Sequence, residues 1–121
     1  MNALLGRTNV TKDTQIETSQ GPSESRISVT GRLVIESSPR FRASLTKAIR
    51  SATSAVLVID LSALSYLDTS GVATLLEAAR VASAHEVRLR VTGLMGEPRM
   101  LAKIAELDVI FRAYGCDLEL T

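Results

Sequence analysis

The run Ala55–Ile59 is the feature that most narrows what this chain can fold into. Its five consecutive apolar residues are typical of a β-strand that is buried on both faces, and Asp60 ends the run. A second segment, Val87–Val91, alternates apolar and basic residues, which predicts a strand with one face toward solvent. The chain is therefore expected to build a sheet around a buried central strand.

Apolar residues at helical spacing separate these strands. Phe41–Ile49 follows Ser38-Pro39, a good N-cap and first-turn pair, and Val72–Ala79 carries a second apolar stripe. A third helix is predicted to begin at Pro98 and to carry Met100, Leu101, Ile104 and Leu107. The remaining strand-like segments are Thr14–Ser19 (an expected edge strand), Arg26–Thr30, Val109–Phe111 and Leu118–Leu120. Two strands followed by alternating helices and strands imply an α/β domain with a mixed sheet.

Composition and length limit the classes of protein to which this chain can belong. A chain of 121 residues fits a single domain, and we expect a flexible N-terminal tail over 1–13 before a domain over 14–121. The single Cys excludes an internal disulfide and a cysteine-based metal cluster, which favours a reducing, cytoplasmic setting. A net charge of +1 gives no bulk attraction to nucleic acid or anionic lipid, and no apolar stretch is long enough for a membrane helix.

The string Asp68-Thr69-Ser70-Gly71 stands where an apolar segment gives way to the second helix. The start of a helix carries unpaired N–H groups and partial positive charge, so it accommodates an anion well. With Thr69 as the N-cap, its hydroxyl would accept a hydrogen bond from the Val72 N–H. A phosphate on one of the two hydroxyls would make a compact charge switch on the surface.

Val58–Ser62 and Leu67–Gly71, with Leu75 beyond, resemble the core signature of STAS domains, a family that includes bacterial anti-sigma factor antagonists. The likeness runs from about residue 14 to residue 112. It implies a STAS fold, with a mixed central sheet of four to five strands and helices packed mainly on one face. It also implies a regulatory protein that is not an enzyme and needs neither cofactor nor metal.

The mechanism that the resemblance implies is partner switching. The unmodified antagonist binds an anti-sigma factor that is also a serine/threonine kinase, and phosphorylation of the antagonist releases it. The acceptor position corresponds to Thr69, with Ser70 as the adjacent alternative. The expected partner-binding residues are Ser62, Tyr66, Asp68, Thr69, Ser70, Gly71, Leu94 and Met95. Packing is the competing interpretation for Gly71 and for Leu94 and Met95.

The same resemblance leaves a second function open. STAS proteins also serve as subunits of bacterial phospholipid-transport ABC systems, where the partner would be a permease–ATPase complex. Antagonists often carry an acid shortly after the glycine at the end of the second strand, whereas here Gly31 is followed by Arg32-Leu33-Val34. The C-terminal helix common in the family is expected to be missing or very short, because Ala113–Thr121 shows no helical stripe.

Other classes fit the residues poorly. A receiver domain would use Asp60 as phosphoacceptor, but the early strands offer no acidic pair to hold Mg²⁺. A serine hydrolase is disfavoured because Ser70 lacks the nucleophile elbow and His85 is the only histidine. We therefore expect Asp60 to cap a loop, His85 to lie exposed, and Cys116 to be a structural thiol.

Overall fold

The fold is described from a computed structural model, which describes residues 7–11 and 14–120. The elements in chain order are β1 (Arg7–Thr11), β2 (Thr14–Gln20), β3 (Ser25–Leu33), α1 (Ser38–Arg50), β4 (Val56–Asp60), β5 (Leu64–Leu67), α2 (Thr69–Ala84), β6 (Arg88–Thr92), α3 (Gly96–Ile104), α4 (Leu107–Ala113) and β7 (Asp117–Leu118). The alternation of strands and helices confirms the α/β class.

The strands form one mixed sheet. Its order is β1-β2-β3-β4-β6-β7, and β5 pairs with the part of β3 that extends beyond β4. The pairs β1–β2 and β2–β3 are antiparallel, whereas the other pairs are parallel. Within the described residues the sheet has seven strands, so it is larger than the four to five strands expected.

The core lies between one face of the sheet and the helices. On β3, β4 and β6 the inward side chains pair in register, and Ile27, Ile59 and Val91 are all fully buried in one row. The predicted apolar stripe of α1 covers this face with Phe41, and α2 covers it with Leu75. The prediction that helices pack mainly on one face is confirmed.

The opposite face of the sheet is polar, with one buried exception. Val58 lies there in register between Arg26 and Arg90, yet it is only 3% exposed. Long arginine side chains shield apolar surface with their methylene stems while their charged ends stay in water. Ala55–Ile59 was thus correctly predicted to contain a strand buried on both faces, although no helix is needed to cover the second face.

Three expectations need correction. Residues 7–11 of the expected tail form β1 against β2, so β2 is not the edge strand; residues 1–6 and 12–13 lie outside the described part. Val109–Phe111 was predicted as a strand but belongs to α4, because Leu107 and Phe111 are one helical turn apart and both fully buried. The expectation of a very short C-terminal helix is confirmed, because α4 has seven residues and the described residues after Ala113 form no further helix.

Candidate functional site

The predicted switch segment, Asp68–Gly71, is positioned by β5. This short strand runs parallel to the last residues of β3, after a register shift between Gly31 and Arg32. At its end the Asp68 N–H donates to the Leu33 carbonyl, 3.2 Å away. The start of α2 is therefore held against the segment that leads into α1, and two helix N-termini meet at this corner.

Asp68, and not Thr69, is the N-cap of α2. Its Oδ1 accepts hydrogen bonds from the backbone N–H groups of Ser70 (2.9 Å) and Gly71 (3.1 Å). Its other oxygen, Oδ2, accepts from the Ile35 N–H at 3.2 Å. The Val72 N–H donates to the Asp68 carbonyl, so the expected bond from Val72 to the Thr69 hydroxyl is wrong.

These contacts set the charge of the Asp68 carboxyl. Partial burial acts to raise its pKa, but the hydrogen bonds from the Ser70 hydroxyl and from the amides of Gly71, Ser70 and Ile35 outweigh it. The pKa of Asp68 therefore lies below its usual value of 3.8. The side chain is a carboxylate at neutral pH and adds a fixed negative charge beside Thr69.

The two adjacent hydroxyls have different surroundings. Ser70 Oγ donates to Asp68 Oδ1 at 2.6 Å and lies 2.9 Å from Ser38 Oγ at the start of α1. Thr69 is exposed, and among the described residues no side chain or backbone group hydrogen-bonds its hydroxyl. A transferase could reach the Thr69 hydroxyl directly, whereas Ser70 would first have to break two hydrogen bonds.

Gly71 faces the interior, so its expected place at a partner surface is wrong. A Cβ atom at this position would lie 2.5 Å from Leu67 Cδ1 and 2.9 Å from the Leu33 carbonyl oxygen. The absence of a side chain lets the first turn of α2 lie directly on β3 and β5. The packing interpretation of Gly71 is the one that the structure supports.

Gly71→Ala is expected to lower the free energy of unfolding by about 1–2 kcal/mol, because the backbone carbonyl of Leu33 cannot move away easily. This loss outweighs the roughly 1 kcal/mol by which Ala is the better helix former. Thermal unfolding should show a melting temperature that is lower by roughly 5 °C. The control is Ala73→Gly, at an exposed position of the same helix, where helix propensity alone costs about 1 kcal/mol. A Gly71→Ala protein that melts higher than the wild type would contradict the packing argument.

The other expected partner-binding residues divide into exposed and buried ones. Tyr66 is 41% exposed and carries Arg32 over its ring at 5.0 Å, and Met95 is 60% exposed. Leu94 is only 5% exposed and belongs to the core, so its expected role as a contact residue is wrong. Ser62 is exposed in the loop after β4.

Two residues that were not predicted to belong to the site join this corner. Ile35 is 68% exposed, and its backbone N–H is bound to Asp68, so it places an apolar side chain near the switch segment. Ser38 is buried and contacts the Ser70 hydroxyl. Neither residue lies in the signature string, and only the pairing of β5 with β3 brings them to it.

Asp60 caps the loop after β4, as predicted. Its Oδ1 accepts from the Ser62 N–H at 2.9 Å and from the Ser62 hydroxyl at 2.7 Å. These contacts, with the neighbouring Arg26 guanidinium, hold the pKa of Asp60 below its usual value against the opposing effect of burial. The carboxylate is thus engaged by its own loop and by an arginine.

The remaining chemistry-bearing side chains occupy structural positions. His85 is exposed at the end of α2, with Nδ1 3.0 Å from the Val81 carbonyl oxygen, as expected. Cys116 is buried, and burial raises the pKa of its thiol.

Over residues 14–120 no group of three His, Cys, Asp or Glu side chains is placed to hold a metal ion. None of the helices in the described residues is both long and apolar enough to cross a membrane.

Comparison with models of protein families shows which family this chain belongs to. The family model described as "Mlab, STAS domain" matches residues 16–117, which is most of the chain. The chain belongs to the STAS domain family. No curated protein sequence matches this STAS domain significantly.

Solved structures share the fold at low sequence identity. An anti-sigma factor antagonist from Mycobacterium paratuberculosis is 18% identical, with a TM-score of 0.72 over 86% of this chain and 85% of that one. The antagonist SpoIIAA in its unphosphorylated form is also 18% identical, with a TM-score of 0.69 over 86% and 87% of the two chains. The Bacillus SpoIIAA in its phosphorylated form gives 18% identity and a TM-score of 0.63 over 86% and 90%. These likenesses confirm the STAS fold.

Proposed function

We propose that this STAS domain is a bacterial, cytoplasmic anti-sigma factor antagonist that works by phosphorylation-controlled partner switching. Unmodified, it binds an anti-sigma factor that has serine/threonine kinase activity, and phosphate on Thr69 ends that binding. The observation that carries the proposal is the contrast between the two hydroxyls at the start of α2. Thr69 is exposed with an unengaged hydroxyl, while Ser70 is tied to Asp68 and Ser38.

The electrostatics of this corner favour a switch that acts at the surface and leaves the fold intact. A phosphate adds about −1.5 to −2 charges next to the Asp68 carboxylate. Two unit charges about 4 Å apart repel by about 1 kcal/mol in water and about 4 kcal/mol near a protein surface. The partial positive charge at the start of α2 offsets roughly 0.3–2 kcal/mol of that repulsion. In a desolvated interface the same charge would stay uncompensated and would cost several kcal/mol.

The comparisons support the proposal at the level of the fold. Among the structures that share it are anti-sigma factor antagonists, and one of them, SpoIIAA, has been solved in unphosphorylated and phosphorylated forms. A STAS fold is therefore compatible with both states of such a switch. The surroundings of Thr69 in this chain make it the acceptor that we propose.

The second candidate is a subunit of a phospholipid-transport ABC system. The observation that favours it is the position of Arg32. Its guanidinium lies over the exposed ring of Tyr66, and Tyr66 stands two residues before Asp68 in the sequence. A cation therefore lies near the switch segment, in the region where antagonists often carry an acid. An acidic partner surface would complement this cation, and a permease–ATPase complex is the alternative partner.

Purification of the full chain from its native host distinguishes the two functions. Partners that co-purify are identified by mass spectrometry, and phosphate is mapped on the same sample. Recovery of a kinase-type anti-sigma factor, with phosphate on Thr69 in the unbound fraction, is the expected result. Recovery of a permease–ATPase complex, with Thr69 unmodified under all growth conditions, would overturn the antagonist proposal in favour of the transporter.

A further inference from the structure

Positive charge is concentrated on α1. The chain from Glu36 to Asp60 contains four basic residues, Arg40, Arg42, Lys47 and Arg50, and no acidic residue between those two ends. The whole chain has a net charge of only +1, so the remainder is net negative. This helix therefore presents a local field that the overall charge conceals.

The exposed side of α1 also bears a shallow, open depression of about 560 Å³, here called the α1 cleft. Pro39 and Ala43 contribute apolar wall, and Arg42, Lys47 and Arg50 line the same space. The buried stripe of α1 lies on the opposite side of the helix, so this α1 cleft is not an extension of the core.

The cations of the α1 cleft differ in their pairing. Arg42 Nε lies 3.2 Å from Glu77 Oε1 on α2. Lys47 and Arg50 are exposed, and no acidic side chain in the described part of the chain pairs with either. Their position in the last turn of α1 is favourable for the helix dipole, but it leaves both charges available to a ligand.

We propose that the α1 cleft binds an acidic segment of a protein partner. Carboxylates of the segment would pair with Lys47 and Arg50, and its apolar side chains would contact Pro39 and Ala43. This inference goes beyond the proposed switch, because the cleft uses none of the residues around Thr69. It gives the domain a second interaction surface, and a partner that reached both would gain affinity from the linkage.

Charge and shape favour a protein segment over other anions. An anionic membrane would require large exposed apolar side chains on the basic helix, and in the described residues none of those lies on α1. Nucleic acid binding usually draws on an extended basic surface, whereas this chain has a net charge of +1 and the basic run on α1 lies within 13 residues. A shallow surface on which apolar side chains lie between separate cations matches a peptide of alternating acidic and apolar residues.

The test is a titration of the full ¹⁵N-labelled chain with a short peptide of Glu and Leu residues, followed by amide chemical shifts. A peptide of Gln and Leu is the matched probe without charge. We expect the Glu peptide to shift amides along the exposed side of α1. The double variant Lys47→Glu/Arg50→Glu should bind it about tenfold more weakly. The charge-reversal control Lys103→Glu, at an exposed position of α3, should bind it as the wild type does.

Several results would overturn the inference. These are an absence of shifts on α1, equal binding of the Glu and Gln peptides, and undiminished binding by the double variant. A shift on α1 with phosphatidylglycerol vesicles or an RNA oligomer, without one for the Glu peptide, would assign the cleft to that ligand instead. Lys47→Gln/Arg50→Gln removes both charges without placing acids at a helix C-terminus, and it should also weaken binding. Thr69→Glu should bind the peptide normally, so failure of the cleft and failure of the switch are distinguishable.

Discussion

Thr69→Glu is expected to weaken binding of the co-purifying partner by about hundredfold or more, whereas Thr69→Ala should bind nearly as the wild type does. The exposed side chain of Thr69 lies beside the Asp68 carboxylate. A second negative charge there would be buried without a counter-charge when a partner covers the corner, which costs several kcal/mol. The measurement is the dissociation constant of the purified pair by isothermal titration calorimetry.

The fold should survive both substitutions at Thr69. A glutamate in the first turn of α2 gains from the helix dipole about as much as it loses by repulsion from Asp68 in water. The melting temperatures of the two variants should therefore agree with that of the wild type within a few degrees. Ser83→Glu, at the exposed far end of the same helix, is the control for added charge and should leave binding unchanged.

Two outcomes would contradict the surface switch. If Thr69→Glu unfolds the domain, the start of α2 does not tolerate the charge, and the electrostatic argument is wrong. If Thr69→Glu is stable and binds the partner as tightly as Thr69→Ala, the partner does not read the charge of this position. Ser70→Ala tests the neighbouring hydroxyl separately, since it should leave the phosphorylation of Thr69 intact.

The parts of the fold that follow a strong local pattern could be predicted from the sequence. The run around Leu57–Ile59 is apolar because it lies in the middle of the sheet, and Phe41, Leu45 and Ile49 recur once per helical turn because they face it. The Asp-Thr-Ser-Gly string marked the start of α2 for the same reason, since short polar residues collect at helix N-termini. Elements of this kind carry their structure in their own residues.

The parts that depend on distant partners could not be predicted. β5 has only four residues and exists because it pairs with the end of β3, a contact of long sequence separation. Val109–Phe111 is apolar and short, so periodicity alone does not distinguish a strand from a turn of helix. The burial of Gly71 and Leu94 also depends on tertiary contacts. Glycine and leucine each occur at buried and at exposed positions, so the residue type alone does not predict burial.

In the candidate site, too, local features could be predicted from the sequence and contacts with distant residues could not. The sequence marked Asp68, Thr69 and Ser70 as a group, and N-cap preferences alone already favour Asp over Thr, but the sequence did not show which of the two hydroxyls is open. The N-cap bonds of Asp68 are local, whereas the Ile35 N–H on Asp68 Oδ2 and the Ser38 hydroxyl beside Ser70 come from a distant part of the chain. The difference between an open and a tied hydroxyl is therefore a tertiary property, and it is the property on which the choice of acceptor depends.

Asp68→Ala is expected to lower the free energy of unfolding by about 3 kcal/mol, the largest stability effect at this corner. The substitution removes the N-cap, which is worth about 1 kcal/mol, and it leaves the Ile35 amide and the Ser70 hydroxyl without their charged acceptor. The melting temperature should fall by roughly 10 °C. Thermal and urea unfolding, followed by circular dichroism, measure both quantities.

Asp68→Asn separates the cap from the charge. An asparagine oxygen can still accept from the Ser70 and Gly71 amides, and Asn is as good an N-cap as Asp. Its NH₂ group would face the Ile35 N–H, however, and two donors cannot hydrogen-bond each other. The bond that ties residue 68 to Ile35, just before α1, would therefore be lost. We expect a destabilisation of about 1–2 kcal/mol, between those of the wild type and Asp68→Ala.

The pH dependence of stability gives an independent reading of the same carboxylate. Because the pKa of Asp68 is lower in the folded state than its usual 3.8, its stabilising contribution is complete above pH 3.8. That contribution is lost as the pH falls through the lower, folded-state pKa. Asp68→Asn should therefore lose less stability than the wild type on acidification below about pH 4, while Asp60 keeps part of the slope in both proteins. An acid slope that is identical in the two proteins would mean that the Asp68 contacts do not favour its charged form, and the charge-based account of this corner would fail with it.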